Sequence, residues 1–273
     1  MTQSLVPSCD TALSDHEFGS FRKLIHDTAG ISLSPAKKAL VAGRLSKRLK
    51  HHALTSFAEY HRLVGRDPQE RQIAVDLLTT NETYFFREPK HFDHLRDHVL
   101  PPLPRDRPLR VWSAACSTGE EPYSIAMLLA EHAADRRWEI LASDISTRVL
   151  DKARSALYSL DHVRGMTPQL LKTHCLKGTG AHEGRFLVDP SLQRRVQFTQ
   201  INLNQSLPDV GLFDVIFLRN VLIYFDASTK QAVVSRLQQK LRPDGVLYIG
   251  HSESLNGLVQ GLRMVAPSIY RRA

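Results

Sequence analysis

A short loop and an acid beyond it hold the chain's most readable chemistry. The loop lies in VWSAACSTGEEPYS (residues 111–124), where Ala114, Ala115, Cys116 and Ser117 are small and Gly119 is the one glycine. A dinucleotide turn needs G-x-G-x-x-G so that backbone can approach a pyrophosphate, and a triphosphate loop needs G-x-x-x-x-G-K-[ST]. The loop fits neither pattern. Glu120 and Glu121 suit a helix start, where the positive end of the dipole favours acids, and their charges repel phosphate. They read either as a cap or as ligand contacts. Asp144 ends WEILASD (138–144), close to the ~20-residue interval at which an acid accepts hydrogen bonds from ribose hydroxyls. A loop with room for a nucleoside, a ribose acid and no phosphate grip together point to S-adenosylmethionine.

Two further strand ends are polar. Asn202 closes RVQFTQIN (195–202), and Arg219-Asn220 close FDVIFLRN (213–220). They read as sheet-rim residues or as further ligand contacts. Methyltransferases that act on exocyclic amines of bases carry [ND]-P-P-[YF] in the latter slot. FLRNVLIYF argues against DNA or RNA as substrate, so no nucleic-acid partner is expected despite the formal net charge of +8. Cys9, Cys116 and Cys175 are scattered and odd in number, as free thiols of a reducing compartment would be. They give no metal-ligand pattern, and no metal is expected.

These residues need a scaffold. LRVWSA (109–114), WEILASD, RVQFTQIN, FDVIFLR and GVLYIG (245–250) read as short buried strands. EEPYSIAMLLAEHA (120–133) and TKQAVVSRLQQKL (229–241) read as helices between them. Such alternation predicts an α/β fold with a doubly wound, mostly parallel sheet, ligands lying beyond its carboxyl edge. RMVAPSIYRRA reads as a closing strand or hairpin. The first 90 residues read as short helices; LSDHEFGSFRKLIHDTAG has Ser14 and Glu17 at capping-box spacing and stops at Gly30. PPLPRDRP (101–108) is the best linker candidate. The expected domains are a helical one over 1–90, a linker helix and proline-rich linker over 91–108, and the α/β domain over 109–273. No apolar run approaches the ~20 residues of a membrane span, and the N-terminus does not read as a signal peptide. A cytoplasmic protein without direct membrane insertion is expected.

TTNETYFFRE (79–88) poses a separate question, because Tyr84, Phe85 and Phe86 stand together inside a polar bracket. The plain reading is a helix end plugged into a core; the other is the wall of a cleft. TTNETYFFRE, VWSAACSTGEEPYSIAM, ASDIS, INL, FLRNVLIYFD and GHSES, in this order, resemble the chemotaxis receptor methyltransferases, the CheR family. The resemblance runs from about Ser14 to Tyr270. It implies methyl transfer from S-adenosylmethionine to glutamate side chains on the cytoplasmic helices of chemoreceptors, leaving methyl esters and S-adenosylhomocysteine. It further implies that TTNETYFFRE closes over the cofactor cleft. On that basis Asn81, Thr83 and Arg87 contact the cofactor, with Glu121 and Asp144 at its amino-acid and ribose parts. Asn202, Leu203, Arg219 and Asn220 match other cofactor-contacting segments, and Tyr224 an active-site tyrosine. Arg87 and Tyr224 are the expected catalytic pair.

A glutamate with a pKa near ~4.3 arrives ionised and needs no general base. A dry cleft favours the approach of carboxylate to sulfonium, since the charges cancel as the transition state forms. Two features concern partners. Residues 37–50 carry six basic residues and no acid. Lys37, Arg44 and Arg48 form a stripe beside Val41, Leu45 and Leu49, read as a solvated face or, given the family, as docking for acidic receptor helices. CLKGTGAHEGRFLVDP (175–190) reads as an inserted β-ribbon at about 176–195; in the family such an insertion can capture a receptor's C-terminal pentapeptide. The competing readings are another S-adenosylmethionine-dependent methyltransferase and a non-catalytic adaptor.

Overall fold

The structure, a computed structural model, describes residues 12–272, and the chain divides into two compact units, Met1–Thr80 and Asn81–Ala273. Among the described residues no helix is long and apolar enough to cross a membrane. Cys9 lies outside the described residues.

The first unit holds α1 (Asp15–Ala29), α2 (Lys38–His51), α3 (Phe57–Arg66) and α4 (Pro68–Leu78). At the start of α1, Ser14 Oγ accepts from Glu17 N–H at 3.2 Å and Glu17 Oε2 accepts from Ser14 N–H at 2.9 Å. Two otherwise orphaned helix-start donors are thereby satisfied. Gly30 ends the helix at φ 74°, a left-handed geometry that costs glycine nothing. Phe21, Ile25, Val41, Leu45, Leu49, Phe57 and Tyr60 are buried.

Within this core lies the carboxylate of Glu70, 2% exposed. It accepts from Arg48 Nε at 2.8 Å, Arg48 Nη2 at 2.6 Å and Tyr60 Oη at 2.7 Å. Burial alone would push the Glu70 pKa up; the bonds from Arg48, Tyr60 and His52 prevail and hold it at about 2. Arg44 Nη1 donates to the carbonyls of Leu78 at 3.2 Å and Thr79 at 2.9 Å, satisfying the end of α4. Of the expected basic stripe only Lys37 is exposed; Arg44 and Arg48 are half-buried and bonded internally. The stripe borders the apolar line, so its long side chains reach polar groups on neighbouring helices.

The second unit carries a seven-stranded sheet with order β6-β2-β1-β7-β8-β10-β9. Its strands are β1 (Leu109–Ser113), β2 (Trp138–Asp144), β6 (Val196–Gln200), β7 (Phe213–Leu218), β8 (Leu241–Ile249), β9 (Leu262–Ala266) and β10 (Ile269–Arg272). β6, β2, β1, β7 and β8 are mutually parallel, while β10 pairs antiparallel with both β8 and β9. From β1 the chain winds outward through β2 to β6 and then returns to β7 on the other side. The switch in strand order therefore opens a crevice at the carboxyl ends of β1 and β7. The helices are α5 (Pro89–His94), α6 (Glu120–His132), α7 (Thr147–Ser155), α8 (Pro168–His174), α9 (Pro190–Gln193) and α10 (Ala227–Lys240). A separate three-stranded antiparallel sheet, β3 (Leu157–Ser159), β4 (Cys175–Lys177) and β5 (Arg185–Val188), has order β3-β5-β4. It is the inserted ribbon, enlarged by a strand from upstream.

Residues 81–108 count with the second unit rather than with a helical domain ending at 90 or a linker. Phe85, Phe92, Leu95, Val99 and Leu100 are buried in its core. The proline-rich stretch is pinned too, since Arg107 makes bonds of 3.0 and 2.6 Å to buried Asp214. Prolines there shape a fixed turn and do not loosen the chain.

Arg48→Ala should destabilise the protein by roughly 3 kcal/mol, the lower end for stranding a buried charge. Because Glu70 is depressed in the folded state, the stability it confers is full above its ordinary value of 4.5 and lost as pH falls through about 2. Denaturant titrations at several pH values read both effects; a Glu70→Gln variant that keeps the same acid slope would refute the assignment.

Candidate active site

The loop after β1 is stitched into the crevice by its backbone. Ala114 N–H donates to Phe217 O and Cys116 N–H to Ser143 O, both at 2.9 Å. Gly119 has φ 97°, and a Cβ there would stand 2.7 Å from Tyr158 Oη, so the glycine is required on both counts. Burial pushes the Cys116 thiol well up, leaving it an inert small residue. Asp144, 7% exposed, ends β2. Its Oδ2 accepts from Ser117 N–H at 2.9 Å and its Oδ1 from Ser146 N–H at 3.0 Å. Ser117 Oγ in turn donates to Asn81 O at 3.1 Å, bringing the start of the aromatic segment to the loop.

A second cluster centres on Arg219, whose side chain is 1% exposed. Its Nη1 lies 3.2 Å from Glu121 Oε2 and its Nη2 3.2 Å from Glu88 Oε2. Nη2 also donates to the Arg87 carbonyl. Glu121 Oε1 accepts from Ser113 Oγ at 2.7 Å, tying the cluster to the end of β1. Glu88 Oε1 accepts from Asn220 Nδ2 at 3.1 Å and from His251 N–H at 3.2 Å. The two carboxylates on one guanidinium diverge. For Glu88, burial raises the pKa, but Arg219, Asn220 and His251 outweigh it and the net shift is downward. Burial dominates at Glu121 and pushes it up, with the Glu88 charge adding to the rise.

A third carboxylate, Glu253, 9% exposed, accepts from the N–H groups of Gly250 at 2.6 Å, Asn220 at 3.0 Å and Ile223 at 3.2 Å. It fixes the turn from Asn220 to Tyr224, although burial still leaves its pKa raised. Phe86, Glu88, Ser117 and Asn220 have φ of 51°, 58°, 48° and 57°. Strained backbone of this kind persists where surrounding bonds enforce it, and it gathers at functional sites.

Of the residues named from sequence, Glu121, Arg219, Asn220 and the Arg87 backbone meet in one cluster, and Asn81 and Asp144 in the adjoining one. The Arg87 side chain donates to Glu82 O at 2.7 Å and lies over the Tyr84 ring at 5.7 Å. Thr83 lines a cleft of about 510 Å³ with Tyr84, Glu120, Lys152 and Arg164. Tyr224 is half-buried in the 3₁₀ turn Leu222–Tyr224. Asn202 Oδ1 accepts from Asn204 N–H at 2.9 Å, and Leu203 is buried with its carbonyl bonded to Arg236 at 2.7 Å. These bonds tie Asn202 and Leu203 to Asn204 and Arg236. Sequence reasoning missed Glu88 and Glu253 as site residues. Both lay in motifs that carried the resemblance, TTNETYFFRE and GHSES, and that was the available signal.

Residues 16–79 match the family described as CheR methyltransferase, all-alpha domain, and residues 81–270 that described as CheR methyltransferase, SAM binding domain. The chain belongs to the CheR methyltransferase family. It is 44% identical over 264 residues to the chemotaxis protein methyltransferase of Escherichia coli (strain K12), covering 95% of this chain and 91% of that one. It is 42% identical to its counterpart in Salmonella typhimurium, covering 99% and 92%. Chemotaxis protein methyltransferase 2 of Pseudomonas aeruginosa is 44% identical, covering 94% and 93%. The cofactor of this CheR-family methyltransferase is S-adenosylmethionine, and the donor set suits it. Asp144 is a buried carboxylate beside a loop of small residues, and the Glu121–Arg219 pair offers both charges to a zwitterionic amino-acid portion.

Asp144→Ala should weaken S-adenosylhomocysteine binding roughly 10- to 100-fold, from the ~1.5–3 kcal/mol of a charged hydrogen bond. Titration calorimetry reads the affinity and circular dichroism the fold. Unchanged affinity would remove Asp144 from the ribose position.

Proposed function

We propose that this methyltransferase acts on glutamate side chains in the cytoplasmic helices of chemoreceptors, as a cytoplasmic protein-glutamate O-methyltransferase of chemotactic adaptation. One observation carries the reading: over 95% of its length the chain is 44% identical to a relative named chemotaxis protein methyltransferase. Arg87 and Arg164 lie over the Tyr84 ring at 5.7 and 4.4 Å, and the adjoining cleft is lined by Lys152 and Arg164 together with the acids Glu82, Glu120 and Asp161.

Bound S-adenosylmethionine supplies an electrophilic methyl group. The protein's own part is positioning and exclusion of water. Asn81, Thr83, Glu121, Asp144, Asn202, Leu203, Arg219 and Asn220 are proposed to bind the cofactor. Arg87 is proposed to orient the acceptor carboxylate together with Tyr224. Phe85, 1% exposed, packs on Tyr158 at 5.0 Å and Phe186 at 5.7 Å, so Tyr84 and Arg87 are carried on a fixed wall. Alignment of this kind supplies up to ~7–11 kcal/mol of barrier lowering.

The basic helix α2 is proposed as a receptor contact through Lys37, the residue that caps its start, with Arg44 and Arg48 on the same stripe. The last two also hold the helical unit together, so charge reversal is better made at exposed Lys37, Lys47 and Lys50. β4 is an edge strand with Leu176 50% exposed, and exposed edges recruit extended peptides by strand addition. We propose this edge as the place where a receptor's C-terminal pentapeptide docks.

Incubation with a receptor cytoplasmic fragment and labelled cofactor should give base-labile esters that release methanol, with Arg87→Ala losing turnover at wild-type circular dichroism. Label that is stable to base would refute ester formation, and absence of transfer would favour an adaptor. The Lys37→Glu, Lys47→Glu, Lys50→Glu triple variant should slow receptor methylation most at low salt and leave cofactor affinity unchanged. Pentapeptide binding, followed by calorimetry, should vanish when residues 176–187 are replaced by a short turn.

A further inference from the structure

Beside the cofactor cluster, on the far side of Glu88, lies a group of side chains that methyl transfer does not use. His91 is 1% exposed, and neither ring nitrogen makes a hydrogen bond. Buried polar atoms are satisfied in the great majority of cases, so an imidazole left wholly unbonded calls for a partner that the chain itself does not supply. Its Nδ1 lies 3.4 Å from Glu88 Oε2, and His251 Nε2 lies 4.0 Å from the same oxygen. All three ligand atoms fall within 4.8 Å of one another. We propose that Glu88, His91 and His251 form a binding site for a first-row divalent transition-metal ion of the Zn²⁺ class.

The donor set is two imidazoles and one carboxylate, borderline ligands that suit Zn²⁺ and its neighbours better than Mg²⁺ or Ca²⁺. Tetrahedral coordination with bonds of ~2.0–2.1 Å places ligand atoms about 3.4 Å apart. Glu88 and His91 already stand at that spacing. His251 has a side chain 47% exposed and closes the remaining gap from the surface without moving the core. The rings of His91 and His251 are 4.8 Å apart and nearly perpendicular at 77°, so they do not stack against closure. Ion entry is provided by a cavity of about 530 Å³ whose lining includes His91, His94, His98, His251, Asp93 and Asp97. Glu88 is oriented by bonds from Asn220 and Arg219, as ligating carboxylates are by their outer partners. Occupancy sets the ion against Arg219 for Glu88 Oε2, which joins this site to the cofactor cluster.

The test is titration of the intact, tag-free, chelator-treated protein with Zn²⁺ by calorimetry, and with Co²⁺ by visible absorption. One equivalent of Zn²⁺ should bind in the micromolar range, and Co²⁺ should give the intense bands of a four-coordinate centre. His251→Ala, at an exposed side chain, should weaken binding at least 10-fold and remove those bands. His91→Gln should do the same if its circular dichroism matches wild type. Absence of binding below about 100 μM, or binding and spectra that survive His251→Ala, would overturn the site and assign any bound ion to surface histidines.

Discussion

Arg219 is the charge around which the second unit is arranged. Its side chain is 1% exposed, and water cannot compensate a guanidinium there. The structure answers with Glu121 from the helix after β1, Glu88 from the start of α5 and the Arg87 carbonyl. A planar, permanently charged fork can hold two carboxylates in fixed directions, which a lysine cannot. Three segments distant in sequence are thereby fixed at the end of β7: the loop after β1, the TTNETYFFRE segment and the Asn220 turn. The arrangement also leaves two acids on one base. Glu88 and Glu121 shift in opposite directions because burial and mutual repulsion act most on Glu121. The excess of negative charge suits S-adenosylmethionine, whose sulfonium and ammonium are both cationic, and disfavours a phosphate-bearing cofactor.

Much of this was legible in the sequence because strand–helix alternation places loops at one edge of a parallel sheet. Asp144 ends β2, Arg219 and Asn220 follow β7, Glu121 lies in the first turn of the helix after β1, and the topology converts those positions into neighbours. Glu88 and Glu253 were not legible as partners of Asn220, since they are separated from it by 132 and 33 residues and neither belongs to a strand end. A periodic pattern also cannot tell an outward stripe from one that reaches sideways. Arg44 and Arg48 lie where the helical wheel puts them, yet their length carries the charges to α4 carbonyls and to Glu70. The boundary after Thr80 was missed for a related reason. Residues 81–100 read as more helix, but Phe85, Phe92 and Leu95 supply apolar surface that only the sheet unit buries.

The aromatic run in its polar bracket follows from the same balance of forces. Phe85 faces inward to Tyr158 and Phe186, and Phe86 packs on Phe92 at 5.1 Å. The two rings reach different partners in one hydrophobic cluster, and Phe86 and Glu88 adopt positive φ. Each such residue costs on the order of 1–3 kcal/mol, which full burial of Phe85 at ~1.5–3 kcal/mol and the packing of half-buried Phe86 help to offset. Phe86 N–H further donates to Ser124 Oγ at 2.9 Å. What this gains is direction. With the two phenylalanines fixed, Tyr84 lines the cleft with Arg164, and Glu88 meets the buried base. The run is therefore core and cleft wall together, and its polar bracket is held by Arg87 on Glu82 O and by Glu88 on Arg219.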